Sequence, residues 1–460
     1  MRVRVAIVGG GATGLATAAW LAHDHGIDDL VVLESEPRAG GKVRSETDSG
    51  HCLEWGPQGF LDNAPDTLEL ARLCGITEDL VRADEGSAAR FILRRGKLRA
   101  VPLSPPAFLF SDILPLGARL RVLGEALGRG RPDHDESVFE FAARRIGRSA
   151  AEVLVDAMVT GVFAGDSRQL SLAATFPRMA AMEAEYGSLS RAMLAKMREA
   201  RRSGRRLAGP AGPGGTLSTF RQGMGQLPAA LARRLGHRLR LGARVERLER
   251  TERGLRLEGS GFELTAEVVL LALPAAAAAG LLAHLAPAAA APLAGIPTVP
   301  IVVFMASYND PAAFGSATQG FGFLVPGCER LGVLGTLFCH SIFPGQAPPG
   351  SILLRTMLGG AREPAAIDLD DDAVTERVRR AHRAVLGADP DPDRLWIIRH
   401  AEGISQYTIG HLERVAAAEQ AARAAGIELA GSPFRGVSVN DCIRQARAAA
   451  ARLAQRVAGD

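Results

Sequence analysis

The chain opens on "RVRVAIV", an apolar, β-branched run typical of a strand buried on both faces. A glycine-rich turn and "ATGLATAAWLAHDHG" follow, whose small and apolar residues predict a closely packed helix. "LVVLE" predicts a second buried strand ending at Glu34. "LGARVERLER" reads as a strand through Val245, and "AEVVLLALP" as a buried strand before Pro274. Near the carboxyl end, residues 427–430 predict a strand, then a glycine turn, then an Ala/Arg helix beginning at Asn440 and Asp441, with Asp441 as its cap. These pieces predict one discontinuous α/β domain made of residues 1–88, 210–275 and 401–460. Residues 89–209 read as a helical, arginine-rich insertion ending in the basic, then Pro/Gly-rich stretch "KMREARRSGRRLAGPAGPGG". Residues 276–400 alternate turns with short runs such as "PIVVFMASY", "GFGFLVP", "ILLRTML" and "RLWIIRH", which predict an antiparallel sheet domain.

The glycine turn has a chemical reading. Gly9, Gly11 and Gly14 stand in the GxGxxG spacing, with Gly10, Ala12 and Thr13 between them. The first glycine permits the tight turn and the second a close approach of backbone to pyrophosphate. The third lets helix and strand touch, with the helix amino terminus facing the anion. Glu34 follows at the distance of a ribose-binding carboxylate, with Ser35 beside it. "ESEPRAGGK" then places Arg38, Gly40 and Gly41 where a chain running beside a flavin dinucleotide would turn. "EWGPQGF" offers Gly56, Pro57, Gln58 and Gly59 to an isoalloxazine. Val245 would lie against adenine. Val437, Ser438 and Val439 would offer backbone groups to the flavin pyrimidine, and the last helix would point its positive end at the ring. The cofactor these features predict is FAD.

Composition narrows the function further. The chain has 460 residues, 47% of them apolar, enough for two or three domains. Its net charge is +4, and Lys42, Lys97 and Lys196 are the only lysines, so the positive charge is almost all guanidinium. No nucleic-acid-binding signature accompanies it. Cys52, Cys74, Cys328, Cys339 and Cys442 are scattered, with no CxxC pair, which predicts reduced thiols in a cytoplasmic protein and no metal site. The "DLDDD" run around Asp370 predicts a helix start. Residues 268–296 form a long apolar stretch, but Pro274, Pro287, Pro292 and His284 make it a poor membrane span. The first residues read as a nucleotide-binding strand and turn, not a secretory signal.

Several longer segments carry a more particular likeness: "EWGPQGFLDN", "RFILRRGKLRAVP", "TGVFAGDSRQLSLAATFP", "SIFPGQAPPG", "QYTIGHLER" and "GVSVNDCI". With the glycine loop, they make the chain resemble the protoporphyrinogen oxidase family of FAD enzymes in haem biosynthesis, along nearly its whole length. The resemblance implies the flavin amine oxidase type of fold. That is a discontinuous FAD-binding Rossmann-like domain, an antiparallel-sheet substrate domain and a helical insertion of membrane-facing type. It implies oxidation of a porphyrinogen to a porphyrin, with O2 as acceptor and H2O2 as by-product. Arg90 would then pair with a substrate propionate, the Gly161 backbone would border the macrocycle, and Leu324 and Phe343 would sandwich it. His400 stands where some bacterial relatives have a tryptophan near the flavin. The expected partners are the porphyrinogen and O2, transient contact of the basic stretch 196–206 with an anionic membrane surface or with the next haem-pathway enzyme, and a homodimer.

The chemistry needs no strong base, because aromaticity drives it and the flavin takes the hydride. The sequence carries no Ser/His/Asp set and no HExxH motif. Within the resemblance two substrates stay open, protoporphyrinogen IX and coproporphyrinogen III. A flavin amine oxidase is the remoter alternative, disfavoured because no lysine follows Lys196 and only Tyr308 and Tyr407 follow Tyr186.

Overall fold

The computed structural model describes residues 1–102, 104–128, 130–203 and 215–459. It divides into two compact units, the first of Met1–Arg82, Thr216–Pro297 and His411–Asp460, the second of Ala83–Gly215 and Thr298–Gly410. Arg205 and Arg206 of the basic stretch lie outside the described residues.

The first unit is built on a mixed sheet. Arg2–Val8 lies parallel between Leu30–Leu33 and Phe262–Leu271, and Leu239–Arg240 extends the sheet beyond Leu30–Leu33. The tail strand Ile427–Leu429 joins the same sheet, parallel to the end of Phe262–Leu271. Two antiparallel strands, Gly254–Gly259 and Arg247–Thr251, complete it. The predicted strand through Val245 begins only at Arg247; Val245 lies in the segment leading to it, buried against the core.

One face of this sheet is covered by the first helix, Ala12–His25, and the last, Val439–Gly459. Leu15, Ala16, Ala19, Ile443, Ala446, Ala450 and Leu453 share one core. Alanines on both helices permit a close approach, and the Thr17 hydroxyl reaches the Ala446 carbonyl at 3.4 Å. Arg447 fastens the rim. It stacks 4.3 Å over the Trp20 ring and meets Asp24, Asp66 and Glu69 at 3.1, 2.9 and 2.7 Å.

The other face carries Ala275–Leu282, Pro287–Ala294 and His411–Ala424, which share a second core. The stretch from 276 to 297 is therefore helical and belongs to the first unit, whereas the sequence pattern assigned it to the antiparallel domain. Alanine has little side chain to fill a pleated face and the highest helix propensity, which explains the outcome.

The second unit holds a seven-stranded sheet in the order Arg394–Ser405, Thr298–Tyr308, Ile352–Gly359, Gly335–Phe338, Gly322–Leu324, Arg90–Arg94 and Lys97–Ala100. Every pairing is antiparallel except that of Gly322–Leu324 with Arg90–Arg94. The strand bearing Arg90 thus belongs to the sheet, not to the helical insertion. Alternate residues point to a core that includes Phe304, Phe323, Phe338 and Leu354 and is closed by Asp371–Leu386. Asp370 caps that helix through the Ala373 amide, so the acidic run is a helix start.

The helical insertion is held by a buried ionic cluster. Arg144 bridges Glu136 and Glu183, and Arg145 meets Glu125. Glu125, 3% exposed, also accepts from the Ser188 hydroxyl and the Leu189 and Ser190 amides, and so caps the Leu189–Ser203 helix from 64 residues before its first residue. Burial alone would raise its pKa. Hydrogen bonds from Ser190, Ser188 and Arg145 outweigh that and lower it from 4.5 to about 2. The carboxylate therefore contributes stability that is fully present above pH 4.5 and is lost as the pH falls toward 2. Glu125→Gln should cost about 3–5 kcal/mol at neutral pH and flatten the acid limb of the stability curve below pH 5. Denaturant midpoints measured across pH check this, and parallel curves for the two proteins would refute it.

Candidate active site

The first unit forms a cradle at the carboxyl end of its parallel strands. The chain leaves Arg2–Val8 through Gly9, whose φ of +107° suits glycine. A Cβ on Gly14 would lie 1.9 Å from the Gly9 carbonyl oxygen, so only glycine lets the first helix start so close to the strand. Gly11 is that helix's N-cap and supplies no side-chain bond, while a Cβ added there would meet nothing within 4 Å. The first turn of Ala12, Thr13 and Gly14 thus has no side-chain cap.

Glu34 follows the second strand, 7% exposed. Its Oε2 accepts from the Gly10 amide at 2.7 Å, and its Oε1 from the Glu36 amide at 2.9 Å and the Ser35 hydroxyl at 3.2 Å. Its carbonyl accepts from the Ala243 amide at 2.8 Å, which sets the segment carrying Val245 alongside. Gly40 donates to the Gly10 carbonyl, and Arg38 to the Gly41 carbonyl at 3.0 Å. Burial, then the neighbouring Arg44, lowers the Arg38 pKa. A fixed carboxylate facing an uncapped helix start, with glycine backbone between them, fits a ribose diol beside a pyrophosphate.

Gly56, Pro57, Gln58 and Gly59 lie against the same unit's backbone. A Cβ would come within 2.0 Å of the Lys42 carbonyl at Gly56 and within 2.6 Å of the Ser218 carbonyl at Gly59. The tail reaches this region directly. Asn440 donates to the Leu61 carbonyl at 2.9 Å and accepts from the Thr67 hydroxyl at 2.7 Å. The cap of the last helix is Ser438, not Asp441. The Asp441 amide donates to Ser438 Oγ at 3.1 Å, and the Ser438 hydroxyl donates back to the Asp441 carboxylate at 2.6 Å. The S-x-x-D spacing is a capping-box variant that could have been read from the sequence. Cys442, also in the first turn, has its thiol pushed up to about 11 by burial, so it is a neutral packing group.

The second unit presents a different surface. On the sheet face opposite the Phe304 core, Leu324, Leu337 and Met357 are half-buried neighbours. Gly161, on Asp156–Phe163, approaches Leu324 so closely that a Cβ would lie 3.1 Å from its methyls, and Val162 beside it is 46% exposed. That helix continues from a π-helical turn, Ala151–Val155, and is locked by Asp156, which accepts from the Gly327 amide at 2.8 Å and the Ser167 hydroxyl at 3.2 Å and meets Arg362. Arg90 is exposed on the same sheet, its guanidinium 4.9 Å over the Phe321 ring, with no carboxylate in ion-pair range among the described residues. Arg90, Gly161 and Leu324 are therefore brought to one unit. Phe343 lies outside these strands, at the end of the short helix Cys339–Ile342, and is 1% exposed. Leu337 and Met357 share the face of Leu324; the sequence offered no sign of them beyond strand alternation. His400 is on Arg394–Ser405, opposite Ile301, so it belongs to the second unit and not to the one that carries the cradle.

Comparison with known proteins adds to this geometry. The model of a family described as flavin containing amine oxidoreductase matches residues 12–454. The chloroplastic protoporphyrinogen oxidase 1 of Arabidopsis thaliana is 31% identical over 468 residues, covering 96% of this chain and 86% of the relative. The coproporphyrinogen III oxidase of Propionibacterium freudenreichii subsp. freudenreichii is 32% identical over 478 residues, covering 96% and 89%. The solved cyclohexylamine oxidase of Brevibacterium oxydans shares the fold, with a TM-score of 0.71 at 19% identity over 98% of this chain and 99% of that one.

Proposed function

The chain belongs to the flavin containing amine oxidoreductase family, and on that footing we propose that it oxidises a porphyrinogen, protoporphyrinogen IX in the first place, to the aromatic porphyrin. It is an oxidoreductase whose cofactor is FAD, and the residues around Gly9–x–Gly11, Glu34 and the tail fit that group. FAD supplies two-electron oxidation with O2 as final acceptor. Removing six hydrogens from the macrocycle consumes three O2 and releases three H2O2.

The observation that carries the substrate class is the second unit's sheet face, with apolar Leu324, Leu337 and Met357 beside the exposed cation Arg90. A large apolar ring with carboxylates on its rim needs that pairing. Arg90 holds a propionate as a planar, permanently charged fork, steadied by the Phe321 ring beneath it. The leucines and Met357 exclude water from the ring, and Gly161 gives backbone access where a side chain would crowd Leu324. Cys442 supplies no thiolate. Against an amine substrate, no lysine follows Lys196. Coproporphyrinogen III remains the second reading, since relatives named for each substrate are equally similar to this chain.

Anaerobic mixing of the purified yellow protein with protoporphyrinogen IX should bleach the flavin band, and air should restore it with porphyrin fluorescence. An unbleached flavin with either porphyrinogen would contradict the reading.

A peripheral membrane contact is part of the same proposal. Among the described residues no helix is long and apolar enough to cross a membrane. Yet Phe110, Leu116, Leu120 and Leu127, on and around two short helices of the insertion, are 85%, 57%, 55% and 88% exposed. Such a patch, on an insertion whose sequence is rich in arginine, suits an anionic lipid surface that delivers an apolar substrate. Co-sedimentation with anionic vesicles should weaken markedly for the Phe110→Glu/Leu127→Glu double variant. Equal binding by wild type and variant would reject the contact.

A further inference from the structure

The helix Asp156–Phe163 is only eight residues long, yet both of its ends are irregular and both are fastened. It grows out of the π-helical turn Ala151–Val155 and stops at Ala164, a residue with a Cβ held in the left-handed region at φ +47°. Conformations of this kind persist only where the surrounding contacts over-determine them. At the amino end Asp156, 9% exposed, accepts from the Gly327 amide with one carboxylate oxygen and from the Ser167 hydroxyl and Arg362 with the other. Gly327 leaves room for that guanidinium, since a Cβ there would lie 2.9 Å from its central carbon. At the carboxyl end the Gln406 amide donates to the Phe163 carbonyl at 2.8 Å, and the Ala361 amide donates to the Ala164 carbonyl at 2.8 Å. These anchors follow the strands Gly322–Leu324, Ile352–Gly359 and Arg394–Ser405, so the helix is tied to the ends of three strands of one sheet. Between the anchors Gly161 rests on Leu324 with no room for a side chain, and Val162 stands beside it, 46% exposed. Gly161 is five residues beyond Asp156, about 7.5 Å along the helix axis.

We propose that Arg362 is a positioning residue for the porphyrinogen. Paired with Asp156, it fixes where the Gly161 backbone and Val162 stand beside Leu324, Leu337 and Met357, and so where the edge of the macrocycle comes to rest. This rests on the porphyrinogen reading above and deepens it. Arg362 touches no substrate in this arrangement; it acts through the helix. Taking the guanidinium away leaves a mostly buried carboxylate without its countercharge, and the start of the helix then shifts to let that charge reach water. Gly161 sits too close to Leu324 for the helix to move inward, so the shift carries the helix off the sheet face and loosens the border it gives the substrate. The residues of the cofactor cradle belong to the first unit and make none of these contacts. The predicted effect therefore falls on substrate binding and not on flavin content.

The test is steady-state kinetics of wild type, Arg362→Ala and Arg362→Lys holoenzymes on whichever porphyrinogen the wild type oxidises, with flavin content and Tm recorded for each. Arg362→Ala should raise KM about tenfold, as loss of a charged hydrogen bond implies, while kcat per bound flavin stays within about twofold of wild type. Arg362→Lys should recover part of the KM, because it keeps the charge and loses the planar fork. An arginine that only stabilises the fold would lower Tm and leave the KM of the folded, flavin-loaded fraction unchanged, and that result would overturn the assignment. A loss confined to kcat would overturn it too. Should Arg362→Ala fail to fold, Gly327→Ala decides instead, since its methyl displaces the guanidinium without removing a charge. A raised KM in that variant supports the positioning role, and an unmoved KM overturns it. A wild type that oxidises neither porphyrinogen removes the parent reading and this one together. A wild type that oxidises either, with KM unmoved in the variants, removes this one alone.

Discussion

The docking of the last helix onto the first is the interaction on which the rest of this fold depends. The chain's two ends are separated by more than 400 residues, yet Val439–Gly459 and Ala12–His25 share one alanine-lined core. Closing so long a loop costs entropy that only buried contact can offset. Leu15, Ala16, Ile443, Ala446 and Leu453 supply that contact. Arg447 adds a partly exposed clamp of three carboxylates and one aromatic face across the first helix and Pro65–Leu73. Because the helices start at the same edge of the sheet, packing them sets where both amino termini point. The cradle is a by-product of that packing.

From this follows the pattern of obligatory glycines. Gly14 lets the first helix approach its strand, and Gly436, with φ +117°, lets the tail pass the Asp441 side chain before the last helix begins. Neither contact could be made with a Cβ present. Glu34 is similarly over-determined, gripped by three donors, so its carboxylate is oriented before any ligand arrives. A preorganised site of this type spends less of its binding free energy on ordering itself.

Much of the first unit was legible because its signals are short-range. GxGxxG, a strand ending in Glu34, and a strand–turn–helix tail are each contained in about 30 residues, and the structure places all of them in one sheet. Errors arose where neighbours in space decide the outcome. Asp441 looked like a cap because it stands at a helix start, but the backbone enters one turn earlier and Ser438 takes the role. Residues 276–297 fall within the bounds expected for the antiparallel domain and instead form helices packed on His411–Ala424.

The second unit presents apolar side chains on a sheet that also carries the exposed guanidinium of Arg90. Ordinary sheet alternation provides them at little cost, by giving one face to the Phe304 core and leaving Leu324, Leu337 and Met357 on the other. The insertion's buried Glu125 and Arg145 hold helices near that surface without adding polar groups to it.

The convergence of the chain's two ends on one flavin is tested most directly by the rate at which Arg447→Ala loses FAD, followed as the change in flavin absorbance during dialysis beside wild type. Faster loss of FAD with a lowered Tm, both partly restored by added FAD, is the predicted result. Full FAD retention by a variant whose tail helix has become accessible to protease would contradict it.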